Sequence, residues 1–369
     1  MMNLSSIRFL LAVALLGAAG CAKTVPFQQT PLAQDEVDRF LASGRDAREY
    51  GITTYQDAAG PRFESANRIH LDRSVQLDFS SPPKWPFPIV QAKTALSDAF
   101  PLLLDSSARQ NWTVMQSMKA MEYRAFAPPT GEYADHVASD IPGYAGVGNK
   151  LIFKDLHVEY PIFYLPPARG GLGSLARIAD LPGQDPRTAE TREKFAGRMP
   201  AVMGAALMRS FSFLRFDFPG RTVLLSTSRA YRPAMLSAVA ANLPMLNWRG
   251  RPAVQGTLGG QPLLLVIDTA GEFDLSLPGS ALEGEAPGPL VLGNHSVEDL
   301  RLRFHGELGL PESFPARLGL GVLSRFAVTL DYKNQRVWFE GKPLPAAEES
   351  ATTPEDETPA PVQYRGVPR

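Results

Sequence analysis

Pro262-Leu263-Leu264-Leu265-Val266-Ile267-Asp268-Thr269-Ala270-Gly271 is an apolar run that stops at an acid and a hydroxyl. Pro101-Leu102-Leu103-Leu104-Asp105-Ser106-Ser107-Ala108, earlier in the chain, does the same. A continuous apolar run of this length, bounded by turn residues, reads as a buried strand. Each is preceded by a Val-Gln strand, Val90-Gln91 and Val254-Gln255. Each is followed by a new alternating run, Trp112-Thr113-Val114-Met115 and Phe273-Asp274-Leu275-Ser276-Leu277.

Two further landmarks recur in the same order. Gly148-Asn149 leads to Asp155-Leu156-His157-Val158, as Gly293-Asn294 leads to Asp299-Leu300-Arg301-Leu302. Met203-Gly204, Leu207-Met208, Phe211 and Asp217-Phe218 correspond to Leu318-Gly319, Val322-Leu323, Phe326 and Asp331-Tyr332. Both copies close on a hairpin strand, Thr222 to Ser226 and Val337 to Phe339. The chain is therefore read as a duplication, with copy one from about Pro86 to Thr227 and copy two from about Arg249 to Gly341. Gly204 lies 99 positions after Asp105 and Gly319 lies 51 after Asp268, so copy one carries a long insertion.

Copy two resembles a retropepsin-like aspartic protease domain, on Leu265-Val266-Ile267-Asp268-Thr269, Leu318-Gly319 with Leu323 and Phe326, and Val328-Thr329-Leu330-Asp331-Tyr332. Two copies in one chain resemble the pepsin arrangement. The resemblance implies an all-β, bilobal architecture of two retropepsin-like barrels with short helices. It implies that Asp105 and Asp268 meet as a catalytic pair, sharing one proton and activating a water. Ser106 and Thr269 would lock the two loops together. Gly204 and Gly319 would let neighbouring strands pass close behind them, having no Cβ. The family's third motif position is glycine, and here it is Ser107 and Ala270, with Gly271 one residue later. Two functions follow: an endopeptidase needing no metal or cofactor, or a catalytically inactive relative that binds an extended peptide or partner segment in the interlobe cleft. A weaker third is two lobes that pair with other chains instead of each other.

The flanks read differently. Arg8, the apolar run Phe9 to Leu16 and the small residues Gly17 to Gly20 have the layout of a secretory signal. Ala18-Ala19-Gly20-Cys21 resembles a bacterial lipobox, which implies acylation of Cys21, the single cysteine, and with Ala22 next to it an outer-membrane tether. The expected division is signal 1–20, anchored linker 21–60, first lobe 61–230, second lobe 245–342 and a disordered tail 343–369. A short helix is expected around Asp35 to Ala47, with Val37, Phe40 and Leu41 on its apolar face.

Composition narrows the function. Lys plus Arg total 37 against 38 Asp plus Glu, a net charge of -1, so no general field draws in nucleic acid. The 33 prolines and 31 glycines favour turns and short strands over long helices. One cysteine rules out internal disulfides and thiolate metal clusters. His70, His136, His157, His295 and His305 lack metal-ligand spacing and read as surface or strand residues. Trp85, Trp112, Trp248 and Trp338 read as packing residues. Arg169-Gly170-Gly171-Leu172-Gly173 reads as a linker rather than a phosphate loop, lacking the Lys-Ser/Thr ending. Tyr123, Tyr133 or Tyr144 of the insertion could sit on a one-sided flap, although for any one of them a surface loop is the plainer expectation. A monomer is the expected state.

Overall fold

The computed structural model describes residues 34–57, 60–65, 68–69, 73–113, 115–127, 144–165, 201–234, 238–279, 288–308, 310 and 312–341. The signal, Cys21, the tail 343–369, Tyr133, His70, His136 and the 169–173 segment lie outside them.

The chain is bilobal and mostly β, with short helices. In copy one, the apolar strand Phe100–Asp105 lies between Ile89–Ala92 and Ala201–Gly204. In copy two, Gln261–Ile267 lies between Arg251–Leu258 and Ala316–Leu318. Both strands run parallel to the strand that leads to the landmark glycine, with Val202 opposite Leu103 and Arg317 opposite Val266, the same register in each copy. Leu102, Leu103 and Leu104 are fully buried, as are Leu265, Val266 and Ile267 to within 1%. That two-sided burial explains why these strands read as continuous apolar runs rather than as alternating ones.

The lobes share a six-stranded sheet. Its order is Ala238–Pro244, Arg336–Gly341, Ala327–Asp331, Phe213–Asp217, Thr222–Ser226 and Ser74–Asp78, so each copy supplies two central strands and the stretch preceding each copy supplies an outer one. The junction is antiparallel, with Phe213 opposite Asp331, Arg215 opposite Thr329 and Asp217 opposite Ala327. Val328, Leu330, Leu214 and Phe216 are fully buried on one face of it and join a core continuous with both lobes.

The duplication is structural at its first and third landmarks. Gly204 and Gly319 each open a one-turn helix, Ala205–Met208 and Leu320–Leu323. The second landmark is not a structural repeat. Gly293-Asn294 turns a hairpin between Leu290–Leu292 and His295–Val297, with Gly293 at φ 61. Gly148-Asn149 instead joins Tyr144–Val147 to Lys150–Phe153, which belong to different sheets. A Gly-Asn dipeptide marks a turn but not which strands the turn connects. Nor does the run after Asp105 continue as expected, because the strand stops at Thr113 and Met115–Ala120 is helical.

The N-terminal helix spans Gln34–Ala42 and buries Phe40. Trp85 is buried, and Trp112, Trp248 and Trp338 are half-buried against other rings. His305 departs from the surface reading: it is fully buried in the turn after Leu302–Phe304. No helix among the described residues is long and apolar enough to cross a membrane.

Candidate functional site

The two acid-bearing loops meet at the centre of the molecule. The Ser106 hydroxyl donates to the carbonyl of Ile267 at 2.6 Å, and the Thr269 hydroxyl donates to the carbonyl of Leu104 at 2.7 Å. The backbone N–H of Ser106 donates to Thr269 Oγ1 at 2.9 Å, and that of Thr269 to Ser106 Oγ at 3.2 Å. Each hydroxyl thus both accepts from and donates to the opposite copy, which clamps Leu104–Ser106 against Ile267–Thr269. All four donors are buried, where hydrogen bonds gain strength from the low dielectric.

Glycine spacing supports the clamp from behind. A Cβ on Gly204 would lie 2.2 Å from the carbonyl oxygen of Gln110 and 2.8 Å from that of Ala108. A Cβ on Gly319 would lie 2.2 Å from the carbonyl oxygen of Phe273 and 2.8 Å from that of Gly271. Those carbonyls hold the loops to the helices, through Ala205 N–H on Ala108 at 2.8 Å and Leu320 N–H on Gly271 at 2.7 Å.

The carboxylates face different surroundings. Asp105 Oδ1 accepts from the N–H and hydroxyl of Ser107, at 2.9 and 2.7 Å, and from Ala108 N–H at 3.1 Å. Asp268 Oδ1 accepts from Ala270 N–H at 3.1 Å. Gly271 is tight against the same acid, since a Cβ there would sit 2.4 Å from Asp268 Oδ2. The glycine of copy two is therefore needed one position later than the resembled motif has it. Copy one has Ala108 at that place and Ser107 before it.

The remaining oxygen of Asp268 is taken by Arg317, whose Nη2 lies 2.7 Å from Asp268 Oδ2 and also donates to Ser107 Oγ. A second arginine of copy two, Arg251, donates from Nε to the carbonyl of Ser107 at 2.7 Å. Burial pushes the Asp268 carboxyl up to about 6; Arg317 opposes that rise and the nearby Asp105 adds to it. Ser107 links the two sides: its hydroxyl donates to Asp105 and accepts from Arg317, which in turn pairs with Asp268.

Arg317 was not among the residues the repeat singled out. Its signal was available: it is a cation in a fully buried three-residue strand, and copy one has Val202 at the same register. Sequence comparison of the copies emphasises what they share, and Arg317 is a difference. Within the insertion, Arg124–Ala127 and Tyr144–Val147 pair antiparallel, and residues 128–143 lie outside the described ones. Tyr123, just before them, is a core residue, 4% exposed, with its ring against Gly148 and Phe163. Among the described residues no cluster of His, Cys, Asp or Glu could hold a metal ion.

The clamp has a measurable weight. Thr269→Val removes a donor from Leu104 and an acceptor from Ser106, both buried. Two buried groups left unsatisfied should cost about 3 kcal/mol in urea unfolding, with Thr269→Ser keeping most of it. A loss below about 0.5 kcal/mol would show that the loops are held by packing alone.

A bilobal β protein with two hydroxyl-locked aspartate loops at a pseudo-twofold centre is the class that fold and site define. No family model matches the sequence, and no curated protein does. Among solved structures the chain is similar to basic 7S globulin from soybean, at 12% identity and a TM-score of 0.41, over 72% of this chain and 94% of that one.

Proposed function

We propose that this chain is a catalytically inactive, aspartic-protease-like protein that binds an extended peptide or partner segment between its lobes. The position of Arg317 carries this reading. Hydrolysis by an aspartate pair needs one shared proton and a water held by both acids. A guanidinium on Asp268 Oδ2 favours the ionised acid and takes the oxygen that such a water would use. Its second bond, to Ser107 Oγ, places the cation next to the group that orients Asp105. The lipobox-like Ala18-Ala19-Gly20-Cys21 supports a lipid-tethered, envelope location for this binding activity.

The endopeptidase reading has two observations in its favour, the intact hydroxyl clamp and the raised Asp268 carboxyl. One experiment separates them. The full-length chain is incubated with an unfolded protein from about pH 3 to 7, the range in which a shared-proton pair titrates. No fragments are expected at any pH, and fluorescent extended peptides should bind equally to the wild type, Asp105→Asn and Asp268→Asn. Cleavage that disappears in both variants would reverse the conclusion.

A further inference from the structure

A cavity of about 330 Å³ opens in copy one where Gly148-Asn149 carries the chain from one sheet into another. Val147 to Lys150 line it, at the parting of the two sheets. Its walls are fixed. Gly148 N–H donates to the carbonyl of Pro161 at 2.9 Å, and Tyr160 N–H to that of Asn149 at 3.0 Å. Tyr123 backs Gly148 so closely that a Cβ there would lie 2.2 Å from its ring. Thr94, also in the lining, donates its backbone N–H to the Ser97 hydroxyl at 2.9 Å.

Large apolar side chains gather here. Of the five exposed among the described residues, Leu96 at 54% and Tyr160 at 36% both line this cavity, together with the buried Met121 and Val147. Apolar side chains collected around a concavity, rather than scattered singly, mark a ligand site. The backbone of Tyr160 points the same way. It sits at φ 54, a left-handed conformation that is an outlier for a bulky residue. The fold thus holds this ring at the cavity against its local preference, and strain of that kind clusters at ligand clamps.

The polar part of the lining defines the rest of the ligand. Tyr50 lines the cavity, and its hydroxyl is buried with no hydrogen-bond partner among the described residues. A ligand group that supplies the partner gains what the hydroxyl otherwise forgoes. The lining cations are Arg124 and Lys150. Glu122, also in the lining, offsets the first, and Glu159 pairs with the second at 3.5 Å. These charges cancel, so the site offers an ion no net attraction.

We propose that this cavity binds a small neutral aromatic group with one hydrogen-bonding substituent, of the phenol kind. The ring packs against Leu96, Tyr160 and the Met121 thioether, a favourable partner for aromatic rings, and the substituent bonds the Tyr50 hydroxyl. The proposal is independent of the peptide-binding reading, since no lining residue belongs to the two aspartate loops.

The test is calorimetric titration of the full-length chain with p-cresol, p-hydroxybenzoate and N-acetyl-tyrosinamide. p-Cresol should bind about fivefold tighter than p-hydroxybenzoate, whose charge would be desolvated without a partner. Leu96→Asp, at an exposed position, should weaken p-cresol at least about tenfold, and Tyr50→Phe about fivefold. Tyr160→Gly relieves the left-handed backbone, so it should weaken p-cresol at an unchanged or higher Tm, which loss of a purely structural ring would not do. Equal affinities for p-cresol and N-acetyl-tyrosinamide would identify a free phenol as the ligand, and tighter binding of the amide a tyrosine residue of a peptide; both support the proposal. Absence of binding up to about 10 mM, p-cresol affinity unchanged in Leu96→Asp and Tyr50→Phe, or tighter binding of p-hydroxybenzoate would each overturn it.

Discussion

Arg317→Leu should destabilise the protein by about 3–5 kcal/mol at neutral pH, the largest expected loss of any side-chain truncation in the site. The change removes the cation from Asp268 and leaves a fully buried carboxylate that still accepts from Ala270 N–H. The penalty should depend on pH in a definite direction. Asp268 already titrates high, at about 6 against 3.8, and loss of Arg317 removes the interaction that lowers it. A carboxyl whose folded pKa lies above its unfolded one holds more protons folded than unfolded between the two values. Lowering the pH through that window therefore favours the folded state. The variant should lose most above pH 7 and recover part of the loss towards about pH 4. Urea unfolding at the two ends measures this. A penalty that is the same at both would mean that Arg317 acts by packing, not by charge. Arg317→Lys keeps the charge but not the fork that reaches Ser107, and should recover only part of the loss.

Gly319→Ala should cost at least about 3 kcal/mol, a fall in Tm of roughly 4–6 °C for a chain of this size. The cause is space rather than backbone conformation. Gly319 has φ -99 and ψ -176, extended geometry that any residue adopts. Its missing Cβ leaves room for the carbonyl of Phe273, which the methyl would approach to 2.2 Å. That carbonyl accepts from Gly321 N–H at 3.0 Å, and its neighbour Gly271 accepts from Leu320, so the loop cannot retreat without releasing the helix. Gly204→Ala should behave alike, against Gln110 at 2.2 Å. Gly260 offers the contrast. It sits at φ +83 with nothing within 4 Å, so alanine there should cost only the strain of a left-handed residue, roughly 1 kcal/mol. Comparable Tm values for Gly319→Ala and Gly260→Ala would mean that the loop adjusts freely and is not a rigid support for the acids.

The parts of the fold that were legible are those in which one local pattern has one structural outcome. Apolar runs ending at Asp105 and Asp268, short and bounded by turn residues, read as buried strands, and the spacing from glycine to Phe211 and Phe326 was kept in both copies because the same one-turn helix follows. The Gly-Asn pairs misled because a turn dipeptide specifies local backbone, while the strand it delivers is selected by tertiary pairing. His305 misled for a similar reason: one polar residue after a short strand gives no periodicity from which burial can be read.

By itself the sequence determined the duplication, the mostly β class and the two acid-hydroxyl loops, since these depend on residue order and apolar periodicity within each copy. Tertiary structure alone decided what surrounds those acids. Arg251 and Arg317 come from copy two, yet both bond Ser107 of copy one. Electrostatic surroundings are fixed by distances through space, and residues 144 and 210 positions apart in the chain become neighbours only when the lobes close on one another.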